Sequence, residues 1–192
     1  MWDRAEFAAA LRPPLIGMVH LLPLPGAPGW GGDLAAVEAA ALADADALVA
    51  GGCGGLLVEN YRDAPFWPDR VPPVTVAAMA VLVGAVRRRH PGVPVGVNVL
   101  RNDALSALAV AAATGAAFIR VNVHAGVAVA DQGLLRGRAH RTLRARRDLG
   151  ATVAIFADLR VKHAAPLAPR PLEAEARDLR HRGLADALIV SG

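Results

Sequence analysis

Short apolar runs punctuate the chain, and longer stretches with scattered polar positions separate them. The runs are Leu15 to His20 (LIGMVH), Leu56 to Asn60 (LLVEN), Val95 to Leu100 (VGVNVL), Phe118 to Val123 (FIRVNV), Val153 to Asp158, and Ala187 to Val190 (ALIV). Brief runs of Val, Ile and Leu bounded by Gly or Pro predict buried strands. The stretches between them predict helices. Asp33 caps one from Leu34 to about Ala50, closed by Gly51-Gly52, and a second runs from Val74 to His90, closed by Pro91-Gly92. A third follows Asp103, an arginine-rich one follows Gly137, and a last one spans Leu172 to Arg182 before Gly183. His124 to Gly137 (HAGVAVADQGLLRG) reads as a long loop, and Pro166 reads as a stop to regular structure.

A strand–helix beat repeated in this way predicts a parallel sheet with crossover helices, either doubly wound or closed into a (β/α) barrel. The first strand is followed by LLPLPG rather than Gly-x-Gly-x-x-Gly, too stiffened by proline to wrap a pyrophosphate. Polar residues recur instead at strand carboxyl ends: His20, Glu59-Asn60, Asn98, Asn122 and Asp158. A barrel brings such ends to one mouth. The expected fold is therefore a TIM-type barrel with strands in sequential order and helices outside the curve. Strands start roughly 34 residues apart, so eight units take about 260 residues. On this reading residues 1–192 are a single (β/α)-barrel domain of about six of eight units, lacking the last two. That leaves the first and sixth strands as short apolar edges and predicts a homo-oligomer through them.

Composition narrows the class. The chain is 54% hydrophobic but only 4% aromatic, so Ala, Val and Leu fill the core. The net charge of +4 comes from scattered arginines, with one cluster at Arg136 to Arg147. No aromatics interleave that cluster, which reads as a solvated helix face rather than a nucleic-acid surface. Cys53 is the lone cysteine, which excludes an intramolecular disulfide and fits a reducing cytoplasm. The opening MWDRAEF does not read as a secretory signal, and no run is long enough to span a membrane. Aromatics at Tyr61, Phe66 and Trp67 leave peripheral membrane association open.

Candidate chemistry concentrates in TVAIFADLRVKHAAPL, Thr152 to Leu167. A strand whose carboxyl end carries Asp158, then Lys162 and His163, is how a parallel α/β enzyme presents reactive groups. Lys162 is the chain's only lysine, and its place beyond the strand suits anion binding or proton transfer. Glu59, Asp158 and Lys162 are the candidate catalytic groups. Glu59 reads either as an acid or base at the mouth or as a salt-bridge partner of Arg101 or Arg120. Candidate binding residues are His20, Asn60, Asn98, Arg101, Asn102, Arg120, Asn122, Asp131, Gln132 and His163. The amides suit polar substrates or a structural network. Alternation puts Arg120 and Asn122 on one face, the barrel interior, where a guanidinium needs a partner such as Glu59 or Asp158. No His-x-His or Glu-x-x-His spacing supports a metal. No Gly-x-Ser-x-Gly elbow or Walker loop is present, and no cofactor is specified.

GMVHLLPLPG, GGLLVENYRDAPF, VGVNVLRND, FIRVNVHAG, DQG and ADLRVKHAAPL together resemble the BtpA/SgcQ family. The resemblance spans essentially the whole chain in order. It implies a TIM barrel of the phosphate-binding kind, and the polar strand ends favour an enzyme or former enzyme that binds a small polar or phosphorylated metabolite at the barrel mouth. One branch of the family is linked to photosystem I biogenesis, which implies the alternative of a non-catalytic assembly factor for a membrane complex. The family continues for two more strands, so the resemblance leaves open the usual phosphate site after the seventh and eighth.

Overall fold

The computed structural model describes Ala9 and residues 15–191. The expectations for MWDRAEF and for the Pro13-Pro14 breaker lie outside the described residues. The main sheet is built from β1 (Ile16–His20), β2 (Gly55–Glu59), β3 (Val95–Asn98), β4 (Phe118–Val121), β7 (Ala154–Asp158) and β9 (Ala187–Ile189). Its six strands run in that order, every pair parallel. The crossovers are α1 (Leu34–Ala50), α2 (Pro73–Arg89), α3 (Ala104–Thr114), α4 (Ala139–Asp148) and α5 (Leu172–Arg177). This is the curled sheet and outer helix layer of a TIM-type (β/α) barrel, with β1 and β9 as its edges.

Local chemistry sets the helix ends. The Asp33 carboxylate accepts from the Ala35 and Ala36 amides at 2.8 and 3.2 Å, capping α1. Asp103 caps α3 in the same way through Ser106 N at 3.0 Å. Pro73 opens α2, where its missing N–H costs nothing. Gly115 closes α3 at φ +71, a left-handed conformation natural to glycine.

The strands alternate strictly. Val19, Leu56, Val58, Val95, Val97, Ile119, Val121 and Ile155 face the helices in the main core. Leu57 and Phe118 face the other way, packed with Ile16, Met18, Ala154 and Phe156. One inward row runs across the sheet in register: Met18, Leu57, Gly96, Phe118, Ala154. The Phe118 and Phe156 rings stack at 4.6 Å. Gly96 is the small member of the row, because a Cβ there would run into the Phe118 ring.

Two expectations are corrected, and a third is extended. His124 to Gly137 is not a plain loop: β5 (Val127–Ala130) and β6 (Gly133–Arg136) form an antiparallel hairpin within it. Asp131 and Gln132 make its tip, and Gly133 at φ +93 supplies the left-handed residue such a turn requires. Pro166 does end regular structure, but what it ends is a strand the sequence reading missed: β8 (Ala164–Pro166) pairs antiparallel with β5 at the edge of a three-stranded sheet. An edge strand tolerates proline, since one side of it needs no donor. The last helix is α only to Arg177, and a π-helical turn continues from Asp178 to Arg182.

Gly96→Ala should destabilise the protein by about 1–3 kcal/mol through overpacking against Phe118. Urea unfolding measures this, and Phe118→Leu in the Gly96→Ala background should recover part of the loss.

Candidate functional site

Above the apolar row lies a polar one, made by the inward residues at the carboxyl ends of β2, β3, β4 and β7. Glu59, Asn98, Asn122 and Asp158 are all buried. The Arg120 Nε and Nη2 donate to the two Asp158 oxygens, each at 2.9 Å. Asn122 Nδ2 donates to Asp158 Oδ2 at 3.0 Å, and Asn98 Nδ2 donates to Glu59 Oε2 at 2.9 Å. Arg120 Nη1 stands 3.7 Å from Glu59 Oε2, joining the two halves. Burial pulls the Arg120 guanidinium down, but its Asp158 hydrogen bonds and the charges of Asp158 and Glu59 outweigh this and hold it above its ordinary pKa. Asp158 therefore has both oxygens engaged. Glu59 has one oxygen bonded, and the other has no hydrogen-bond partner among the described residues.

A second set of sequence candidates ties loops together. Asn60 Oδ1 accepts from Leu100 N at 2.7 Å, and its Nδ2 donates to Asp63 Oδ2 at 3.1 Å. Asp63 in turn accepts from Leu24 N at 2.8 Å. Asn102 bridges to the segment after β4: its Oδ1 accepts from Val123 N at 2.8 Å, and its Nδ2 donates to Val123 O at 3.1 Å. Arg101 Nη2 donates to the Lys162 carbonyl at 2.5 Å. The segments after β1, β2, β3, β4 and β7 are thus linked at the mouth by side chains bonding to backbone.

The remaining candidates are more open. His20 stacks on Tyr61 with ring centroids 4.2 Å apart. Gln132 donates to its neighbour Asp131 at the hairpin tip. Lys162 and His163 are exposed on the turn before β8, with His163 at φ +60. A cavity of about 160 Å³ opens beside the polar row. Asn122 and Asp158 line it, with Val127 from β5, Val161, and Arg170 and Glu175 near α5. Asn122 Oδ1 has no partner among the described residues. No group of three or more His, Cys, Asp or Glu among the described residues could hold a metal. No described helix is long and apolar enough to cross a membrane.

His124 escaped the sequence reading. It is 1% exposed, and its Nε2 meets the Gly183 carbonyl at 2.8 Å, while Nδ1 has no partner among the described residues. Burial, aided by the Arg146 charge, lowers its pKa despite the Gly183 hydrogen bond and Asp186. Its one sequence signal was its place two residues beyond Asn122, just past the fourth apolar run.

The sequence model of the BtpA family matches residues 11–192. The photosystem I biogenesis protein BtpA of Synechocystis is 54% identical over 179 residues, covering 93% of this chain and 62% of that protein. The chain thus spans less than two thirds of that relative's length. An uncharacterized protein of Thermococcus kodakarensis is 47% identical over 181 residues, 94% of this chain and 68% of its own length. Among solved structures, 2,3-dimethylmalate lyase, a PEP mutase/isocitrate lyase superfamily member, aligns with a TM-score of 0.53 at 12% identity. That alignment covers 97% of this chain and 60% of the other, a likeness of fold.

Two outcomes are expected from this geometry. Asp158→Asn takes from the partly buried Arg120 its hydrogen-bonded counter-charge and leaves only Glu59 at 3.7 Å, and should cost about 3 kcal/mol in chemical denaturation. His124 has a folded pKa below its ordinary 6.5, so its contribution is fully present above that value and is lost as pH falls below it. Between pH 7.5 and 5.5, on the order of the His titration range, the parent should lose more stability than His124→Gln, read by urea midpoints at each pH.

Proposed function

This chain belongs to the BtpA family, and we propose that it is an enzyme-type barrel that binds a small polar or phosphorylated metabolite at the carboxyl-end mouth of its sheet. The observation that carries this reading is Glu59. Its carboxylate is held by Asn98, faces Arg120 and keeps one oxygen without a hydrogen-bond partner among the described residues, in a residue only 5% exposed. A fixed carboxylate in a nearly dry wall suits proton transfer to or from a bound substrate. Barrels of this architecture carry their chemistry at that end of the strands, although the fold does not name the reaction. Asn98, Arg120 and Asn122 would orient the substrate, and the cavity beside Asp158 would admit it. Residues 1–192 act in this reading as one domain, and the lone Cys53 suits a cytoplasmic address.

A second reading rests on a different observation. Tyr61 and Trp67, on the segment after β2, are 51% and 57% exposed. Such aromatics suit a membrane interface or a protein surface. The name of the Synechocystis relative fits a non-catalytic assembly factor for a membrane complex.

A thermal-shift screen of the protein against polar and phosphorylated metabolites separates the two. The first reading expects a hit that raises the melting temperature. Glu59→Gln should then lose turnover of that compound by about 10²–10⁴-fold with little change in melting. If no compound binds, and a Tyr61→Ser, Trp67→Ser double variant abolishes sedimentation with anionic vesicles, the assembly reading stands instead.

A further inference from the structure

Arg101 is a guanidinium buried at the mouth with no carboxylate in ion-pair contact among the described residues. It is 7% exposed. Its Nη2 is bound to a neutral acceptor, the Lys162 carbonyl, and Nε and Nη1 donate to no described residue. It forms no ion pair among the described residues. Asp158 is taken up by Arg120 and Asn122, Asn98 holds one oxygen of Glu59, and Gln132 holds one of Asp131; none of the three pairs with Arg101. Asp131, Asp158 and Glu59 act on Arg101 only through their fields, and Arg120 opposes them.

Burying a cation without a counter-ion costs several kcal/mol, so an unpaired one is expected where an anion is to be received. The planar donors of a guanidinium match the oxygens of phosphate or carboxylate. A second cation stands on the turn that Arg101 holds: Lys162, exposed and without an ion pair among the described residues. Two cations favour a dianion over a single carboxylate.

We infer that Arg101 and Lys162 form an oxyanion subsite at the mouth that takes the phosphate of a phosphate monoester. This deepens the metabolite-binding reading and rests on it, since the same mouth would hold the rest of the substrate. Occupation of the site would also pin the turn after β7 to the segment after β3, because Arg101 already holds the Lys162 carbonyl.

The test uses the full chain and inorganic phosphate. Phosphate titrated at constant ionic strength, with chloride as the balancing salt, should bind and raise the melting temperature. Arg101→Gln should weaken phosphate binding by about tenfold or more, and Lys162→Ala by a smaller factor. In phosphate-free buffer Arg101→Gln should melt at or above the parent, because it removes an uncompensated charge. The inference is overturned if phosphate acts no differently from chloride, or if Arg101→Gln binds it unchanged. It is equally overturned if Arg101→Gln melts far below the parent, which makes Arg101 a structural stay. Tighter binding of malonate than of phosphate overturns the phosphate assignment in favour of a dicarboxylate. Any of these failures, with a metabolite still bound in the screen, leaves the reading built on Glu59 standing.

Discussion

A guanidinium on the inward face of a strand has to meet a carboxylate, and the pairing of Arg120 with Asp158 organises the mouth of this sheet. The parallel register of β4 and β7 sets Arg120 opposite Phe156, two residues before Asp158, so the side chain reaches toward the carboxyl end. Asn122 then satisfies an Asp158 oxygen, and the long-range contact with Glu59 extends the network to Asn98. The apolar row of Leu57 and Phe118 closes the floor beneath it. Polar wall and apolar floor depend on each other. Water below the pair would weaken the electrostatics that hold it, and a misplaced pair would leave charge over hydrocarbon.

How much of this could be read from the residues divides by the range of the interactions involved. Strand and helix order follow from local periodicity, and Asp33 and Gly51-Gly52 bracket α1 in the sequence as they do in the structure. The inward face of Arg120 follows from alternation alone. The small sheet of β5, β6 and β8 does not. Its third strand is brought in from beyond β7, and nothing in AAP announces a partner near Val129. The glycines and the proline there are honest turn signals, yet they also serve a hairpin turn and a sheet edge.

Asn60 and Asn102 were legible as residues at the mouth, but not in their attachments. An asparagine amide carries the same donor and acceptor as a peptide group, so it can complete either a substrate or a stretch of backbone. Here Asn60 answers Leu100, and Asn102 answers Val123. Which of these an asparagine does depends on whether a strand end nearby has unpaired backbone, and that is a property of the neighbouring segment. His124 was missed for a similar reason, since its partner Gly183 lies 59 residues away.

The pairing of β8 with β5 has a kinetic side. The segment after β7 is tied by a backbone ladder to the hairpin after β4, and both border the 160 Å³ cavity. Neither can swing aside alone. Tied in this way the two segments would move as a single flap, and a solute leaving past them would wait for cooperative rupture of that ladder rather than for the flicker of one loop. Exit would then fall on the microsecond-to-millisecond scale of collective loop motion, and the dwell time of whatever occupies the cavity would be set by backbone hydrogen bonds it never touches.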